Sequence, residues 1–269
     1  MIRVEVYLTH FLIKDELVLK DKNAVIVDVL RSTTSILTAL VKGAKEVIPT
    51  DSVTQAVKIA KGSGNSLLCG ERNGKLIEGF HLGNSPFDFT EEKIKGKSLI
   101  CSTSNGTIAT TKAKLAKSCA LASFNNIDAV VEYVLNLNED VTFVASGKLN
   151  NFCLEDAVLI GVILKSLLKQ KEFLINDPER ACITLAEGTV FDNKGVLSEA
   201  KVFDLLQSVE HGRYLIECGF ANDIDYCSRL NIYKEIPIFY KGSIKLKEQI
   251  DSELAIKKKM KKINLKDKT

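Results

Sequence analysis

The chain has 269 residues, 45% hydrophobic and 26% charged, which is ordinary for a soluble globular protein and enough to bury a large core in one or two domains. No apolar run reaches the roughly 18 to 20 residues of a membrane span, and Met1-Ile2-Arg3-Val4-Glu5-Val6 alternates with an acid inside it, unlike a signal peptide. The net charge of +3 is uneven: residues 241–269 carry ten lysines against four acids, leaving 27 basic and 30 acidic residues in 1–240.

Residues 2–8 alternate as a first strand. Residues 24–30 then form a buried strand interrupted by Asp28, followed by a polar turn and a helix over 33–42 that Gly43 closes. The alternation continues with strand 44–49, helix 52–61 and strand 66–70. After a glycine-rich loop from Glu71 to Thr90 it resumes: strand 98–102, helix 106–116, strand 119–122, helix 125–136, strand 141–145 and helix 154–169. Strands separated by helices of this length predict an α/β fold, layered α/β/α, with a largely parallel or mixed sheet. From about residue 176 helical patterns dominate, over 178–187, 199–217 and 222–229, with a short strand at 236–240. The expected organisation is therefore an α/β core over 1–175, a helical cap or second lobe of the same unit over 176–240, and a lysine-rich tail over 241–269.

Seven cysteines without paired spacing argue for reduced thiols and a cytoplasmic protein, and the absence of C-x-x-C or a Cys/His cluster argues against zinc. The run Lys257-Lys258-Lys259-Met260-Lys261-Lys262 reads as a solvated end, since no aromatic residue is interleaved with it for nucleic-acid binding. Neither nucleic acid nor membrane is expected as a partner. Oligomeric state is not readable, and a homo-oligomer is compatible with the chain.

In an open parallel sheet, ligands bind outside the carboxyl ends of the strands. Four such ends carry small polar loops: Asp28-Val29-Leu30-Arg31-Ser32-Thr33-Thr34; Gly70-Glu71-Arg72 with Gly79-Phe80-His81-Leu82-Gly83-Asn84-Ser85-Pro86; Ser102-Thr103-Ser104-Asn105-Gly106-Thr107; and Ser146-Gly147-Lys148 followed by Glu155-Asp156. Each has a plain structural reading. Asp28 can cap the following helix, Ser104 to Thr107 can be a turn and cap, Glu71-Arg72 a surface ion pair, and Glu155-Asp156 first-turn acids. Together they also fit an anion site with Mg²⁺, which takes one or two carboxylates plus water and phosphate. No Walker loop, cysteine-phosphatase loop or G-x-S-x-G elbow is present, and Asp28 is followed at the next-but-one position by Leu30 rather than by a second Asp. His81, in the glycine loop, is a candidate general acid.

These motifs, in this order, resemble the 2-phosphosulfolactate phosphatase family, and Tyr214-Leu215, Gly219-Phe220, Asp223-Ile224 and Ile236-Pro237 are similar to its C-terminal segment. The resemblance spans roughly residues 1–240. It implies a Mg²⁺-dependent phosphatase of coenzyme M biosynthesis that cleaves a small anionic phosphate ester. His81 and Ala157 stand where acids are expected. On the residues themselves, Asp28, Glu155 and Asp156 are the expected metal ligands, and Asp28, Glu71 and Arg31 the expected catalytic groups. Arg31, Ser32, Thr33, Thr34, Arg72, Asn84, Ser104, Asn105, Gly106 and Thr107 are expected to bind substrate. Direct attack by water and a transient aspartyl-phosphate on Asp28 both remain open. The alternatives are a catalytically silent anion-binding protein and a phosphatase acting on a different 2-phospho acid.

Overall fold

The computed structural model describes residues 1–266, with side chains to residue 257. The strands are β1 (Ile2–Tyr7), β2 (Asn23–Val27), β3 (Glu46–Thr50), β4 (Ser66–Arg72), β5 (Lys75–Leu76), β6 (Ser98–Ser102), β7 (Ser118–Ala122), β8 (Val141–Ala145), β9 (Phe173–Leu174), β10 (Pro237–Tyr240) and β11 (Ser243–Leu246). The α-helices are α1 (Ser32–Val41), α2 (Val53–Lys61), α3 (Glu91–Ile94), α4 (Gly106–Lys112), α5 (Ile127–Leu137), α6 (Leu154–Leu168), α7 (Asp177–Thr189), α8 (Glu199–Ser208), α9 (Glu210–Glu217), α10 (Ala221–Ser228) and α11 (Lys247–Lys266). Among the described residues no helix is long and apolar enough to cross a membrane.

One mixed sheet runs in the order β5-β4-β6-β3-β11-β10-β7-β2-β8-β1-β9. Its two flanks are parallel: β4 with β6 and β6 with β3 on one side, and β7, β2, β8 and β1 on the other. The antiparallel hairpin β10–β11 joins them, pairing Ile238 with Ala120 of β7 and Ile244 with Val47 of β3. The α/β expectation is met, but the segment at its C-terminal end is corrected. Residues 243–246, expected in a lysine-rich tail, are a strand at the middle of the sheet. The lysines from 258 onward lie outside the residues whose side chains are described.

Every residue of β2 is buried, as its β-branched run requires of a central strand covered on both faces. Helix α6, LEDAVLIGVILKSLL, is apolar almost all round, and it is buried between the sheet and α7. Gly161 allows that approach, because a Cβ there would lie 2.0 Å from the Cys182 carbonyl oxygen. Core residues of α7 to α10 (Cys182, Leu206, Leu215, Ile224) share one cluster with Val25, Val27 and Phe143 of the sheet. The C-terminal helices are thus a cap on the same core. The helix expected over 199–217 is two helices, because Val209 turns extended (φ −67°, ψ 155°) between α8 and α9.

The expectation of wholly reduced thiols is also corrected. Cys69 on β4 and Cys101 on β6 are register partners, Cα atoms 4.7 Å apart, and are joined as a disulfide. Cys119, Cys153, Cys182, Cys218 and Cys227 are free.

Candidate active site

The four polar strand ends converge on the C-terminal edge of the sheet. Asp28 follows β2, Glu71 ends β4, Thr103 and Ser104 follow β6, and Lys148 follows β8. A cavity of about 200 Å³ lies over them, and α9 closes it with His211, Tyr214 and Leu215. Of the residues expected from sequence, Asp28, Arg31, Glu71, Asn84, Ser104 and Asn105 line this cavity.

Asp28 is nine-tenths buried, and its Oδ1 accepts the Ser32 N–H at the start of α1 (3.1 Å). One oxygen therefore does cap the following helix. The other, Oδ2, lies beside Gly106, where a Cβ would sit 2.4 Å from it and 2.5 Å from Ser32 Oγ. Four strands separate β6 from β2 in the sheet, yet the loop after β6 brings the start of α4 against the end of β2. Only glycine permits that contact. Burial pushes the Asp28 carboxyl above its ordinary value, and the charge on His211 partly counters this.

Asp156 is a brace. Its Oδ1 accepts the Val29 N–H (2.9 Å) and its Oδ2 the Gly147 N–H (3.1 Å), tying the end of β2 to the loop after β8. Burial raises its carboxyl well above the usual value, reinforced by the charges of Asp28 and Glu155. Among the described residues the side chain of its neighbour Glu155 has no hydrogen-bond partner, and it faces His211, Oε1 to Nδ1 3.6 Å. Glu155 lines a second cavity, which shares Lys148, Leu149 and His211 with the first.

Glu71 fastens two loops. Its Oε1 accepts the Ser104 N–H (2.7 Å), and its Oε2 accepts the Gly74 N–H (2.8 Å) and the Ser104 hydroxyl (3.3 Å). Arg31 follows a cis peptide bond after Leu30 and is 3% exposed. It donates from Nη1 to Asp223 Oδ2 (2.5 Å) and from Nη2 to the Gly74 carbonyl (2.9 Å), and it stacks 4.2 Å over the Phe220 ring. Its charge is already countered by a carboxylate of α10, so the fork expected to bind an anion reaches the cavity wall with Nη1 and Nη2 each holding a protein partner.

Several other expected binding groups turn away. The Thr33 and Thr34 hydroxyls donate to the Asp28 and Val29 carbonyls. Arg72 donates to the carbonyls of Glu71 and Ser102 and to the Ser102 hydroxyl, stitching β4 to β6 outside the cavity. Thr107 exchanges hydrogen bonds with Thr103 inside the turn. His81 is exposed, its Nδ1 accepts the Leu68 N–H, and it does not line this cavity.

Sequence reading missed Lys148, His211, Tyr214 and Asp223 as site residues. Asp223 carried a signal, since Asp223-Ile224 is part of the family-like C-terminal segment, but only the fold brings positions 31 and 223 together. The Tyr214 hydroxyl donates to the Asn73 carbonyl (3.0 Å), pinning α9 over the loop after β4.

The chemistry of the donors suits a hard cation. Asp28 and Glu155 are buried carboxylates, and Ser32 Oγ is a buried hydroxyl that has no hydrogen-bond partner among the described residues. Buried like charges are costly unless a cation compensates them. Among the described residues no three His, Cys, Asp or Glu side chains group as a preformed metal cage. Mg²⁺ does not need one, since water and substrate phosphate complete its shell.

Comparison with known proteins places the geometry in context. A family model described as 2-phosphosulpholactate phosphatase matches residues 7–242. The chain is 37% identical over 218 residues to a probable 2-phosphosulfolactate phosphatase of Carboxydothermus hydrogenoformans, covering 81% of this chain and 86% of that protein. It is 37% identical over 227 residues to one of Thermotoga maritima (84% and 93%) and 36% identical over 233 residues to one of Clostridium acetobutylicum (86% and 95%).

Proposed function

The chain belongs to the 2-phosphosulpholactate phosphatase family, a family of phosphoric monoester hydrolases, and from that premise we propose that it is a Mg²⁺-dependent phosphatase converting 2-phosphosulfolactate to sulfolactate and phosphate. The observation that carries the site assignment is Asp28. It is a buried carboxylate at the end of a central strand, with one oxygen held by the α1 amide and the other set beside Gly106 at the cavity.

Asp28 and Glu155 would hold the metal, with Asp156 fixing the backbone on which both depend. Bound there, Mg²⁺ supplies Lewis-acid stabilisation of charge on a phosphate oxygen. Asn84, Ser104 and Asn105 present the polar groups that orient the phosphate, and Glu71 fixes the Ser104 turn and the Gly74 loop at the cavity wall. Arg31, anchored by Asp223, adds a rigid guanidinium face to the same wall. In the reaction an oxygen from water bonds to phosphorus while the bond from phosphorus to the ester oxygen breaks. The leaving oxygen gains a proton and water loses one, so phosphate and an alcohol result.

The test is phosphate release by the purified protein from 2-phosphosulfolactate, 2-phospholactate and an aryl phosphate, each with Mg²⁺ and with chelator. Metal-dependent release, fastest from 2-phosphosulfolactate, is expected. Release fastest from another ester would keep the mechanism and replace the substrate. No release from any of them would leave an anion-binding protein.

A further inference from the structure

Among the described residues, two lysine or arginine side chains line the cavity, Arg31 and Lys148, and they differ in how firmly they are held. Arg31 and its partner Asp223 are 2% and 3% exposed, and Ser85 donates to the other Asp223 oxygen (2.7 Å). A buried pair braced in this way does not exchange partners without leaving a charge uncompensated. Lys148 is 20% exposed, and its Nζ lies 3.1 Å from Oε1 of Glu210, whose side chain is 83% exposed. A pair with a solvated carboxylate is weakly held, so Lys148 can exchange Glu210 for an anion in the cavity at little cost.

The backbone around Lys148 is fixed while its side chain is not. On one side the Gly147 N–H donates to Asp156, and on the other the Leu149 N–H donates to Asn105 Oδ1 (3.2 Å). Gly147 has φ +70°, and a Cβ there would lie 2.3 Å from the Asn151 carbonyl oxygen, so the loop is tightly specified. The ammonium group sits 5.0 Å from the Tyr214 ring centroid, on the face closed by α9. A flexible stem bearing three donors, on a rigid base at the cavity wall, is suited to a second charged group at a variable distance from the phosphate.

We propose that Lys148 is the specificity-determining residue of this site. Its Nζ leaves Glu210 to bind the sulfonate or carboxylate of the substrate, so that esters carrying a second anion are selected over simple phosphomonoesters. This rests on the phosphatase reading above for its kinetic consequence, but the charge recognition itself is a binding property.

The experiment compares wild type with Lys148→Met, Lys148→Arg and Glu210→Gln, using the ratio of kcat/KM for 2-phosphosulfolactate to that for an aryl phosphate. In Lys148→Met this ratio is expected to fall at least about tenfold, through KM rather than kcat. Lys148→Arg should recover most of the loss, and Glu210→Gln should hold or raise the ratio. A parallel series with 2-phospholactate separates the two anions: a loss shared by both 2-phospho acids assigns the carboxylate, and a loss confined to the sulfonate ester assigns the sulfonate. Sulfolactate binding to wild type and Lys148→Met is measured alongside by calorimetry. About tenfold weaker binding in the variant supports the assignment even where no ester turns over, an outcome that overturns the hydrolase reading alone. A selectivity ratio unchanged in Lys148→Met, equal affinity of the two proteins for sulfolactate, or no binding by wild type would overturn it.

Discussion

Arg31 and Asp223 show what single residues decide here. Arg31 comes from the turn after β2 and Asp223 from α10, and their ion pair joins the sheet edge to the helical cap inside the core. Removing the carboxylate alone strands a buried guanidinium, so Asp223→Ala should destabilise the protein by about 3–5 kcal/mol, read as a lowered midpoint in urea. A loss below about 1 kcal/mol would mean that the pair is solvated and Arg31 is free to bind substrate. The types of residue at the strand ends were legible from the sequence; their commitments were not. A threonine or arginine after a strand has the same signature whether it faces a ligand or its own backbone. Thr33 and Thr34 bond backbone carbonyls, Arg72 bonds Glu71 and Ser102, Thr107 bonds Thr103, and Asp156 spends both oxygens on amides.

At the level of elements, α9 completes the cavity, and Gly212 sets its position. A Cβ at Gly212 would fall 1.6 Å from the Leu206 carbonyl oxygen of α8, and that contact yields only if α9 shifts. Gly212→Ala should therefore cost about 1–3 kcal/mol of stability and raise KM more than it lowers kcat, because His211 and Tyr214 move with the helix. A variant as stable as wild type with an unchanged KM would show that α9 does not shape the site. Most β-to-α alternation could be read from the period of apolar residues, as at β2, α1 and α6. The break at Val209 could not, because apolar residues continue at helical spacing across it. The sheet insertion of β11 was hidden too, since Ser243–Leu246 is short and lies among lysines.

The whole molecule is two parallel flanks joined by a C-terminal hairpin, with the site where the loops of both flanks meet under the helical cap. Gly106 from the β4–β6–β3 flank touches Asp28 from the β7–β2–β8–β1 flank, so the site exists only when the assembly is complete. Sequence pointed to the C-terminal edge of the sheet, where the cavity lies, because the strand-end rule depends on topology alone. The cap residues that close it, Tyr214 and Leu215, were legible only as part of a family-like segment, because nothing in their spacing says that α9 folds over the strand ends. We propose Asp28, at this junction, as the metal-dependent catalytic group. The most direct test is phosphate release from 2-phosphosulfolactate by wild type and Asp28→Asn, with Mg²⁺ or with chelator, alongside circular dichroism of both proteins. Wild type should lose at least about a hundredfold of its rate on chelation, and Asp28→Asn should show a loss of similar or greater size with its fold intact. An Asp28→Asn protein that keeps the wild-type rate, or release that chelation does not change, would contradict the account.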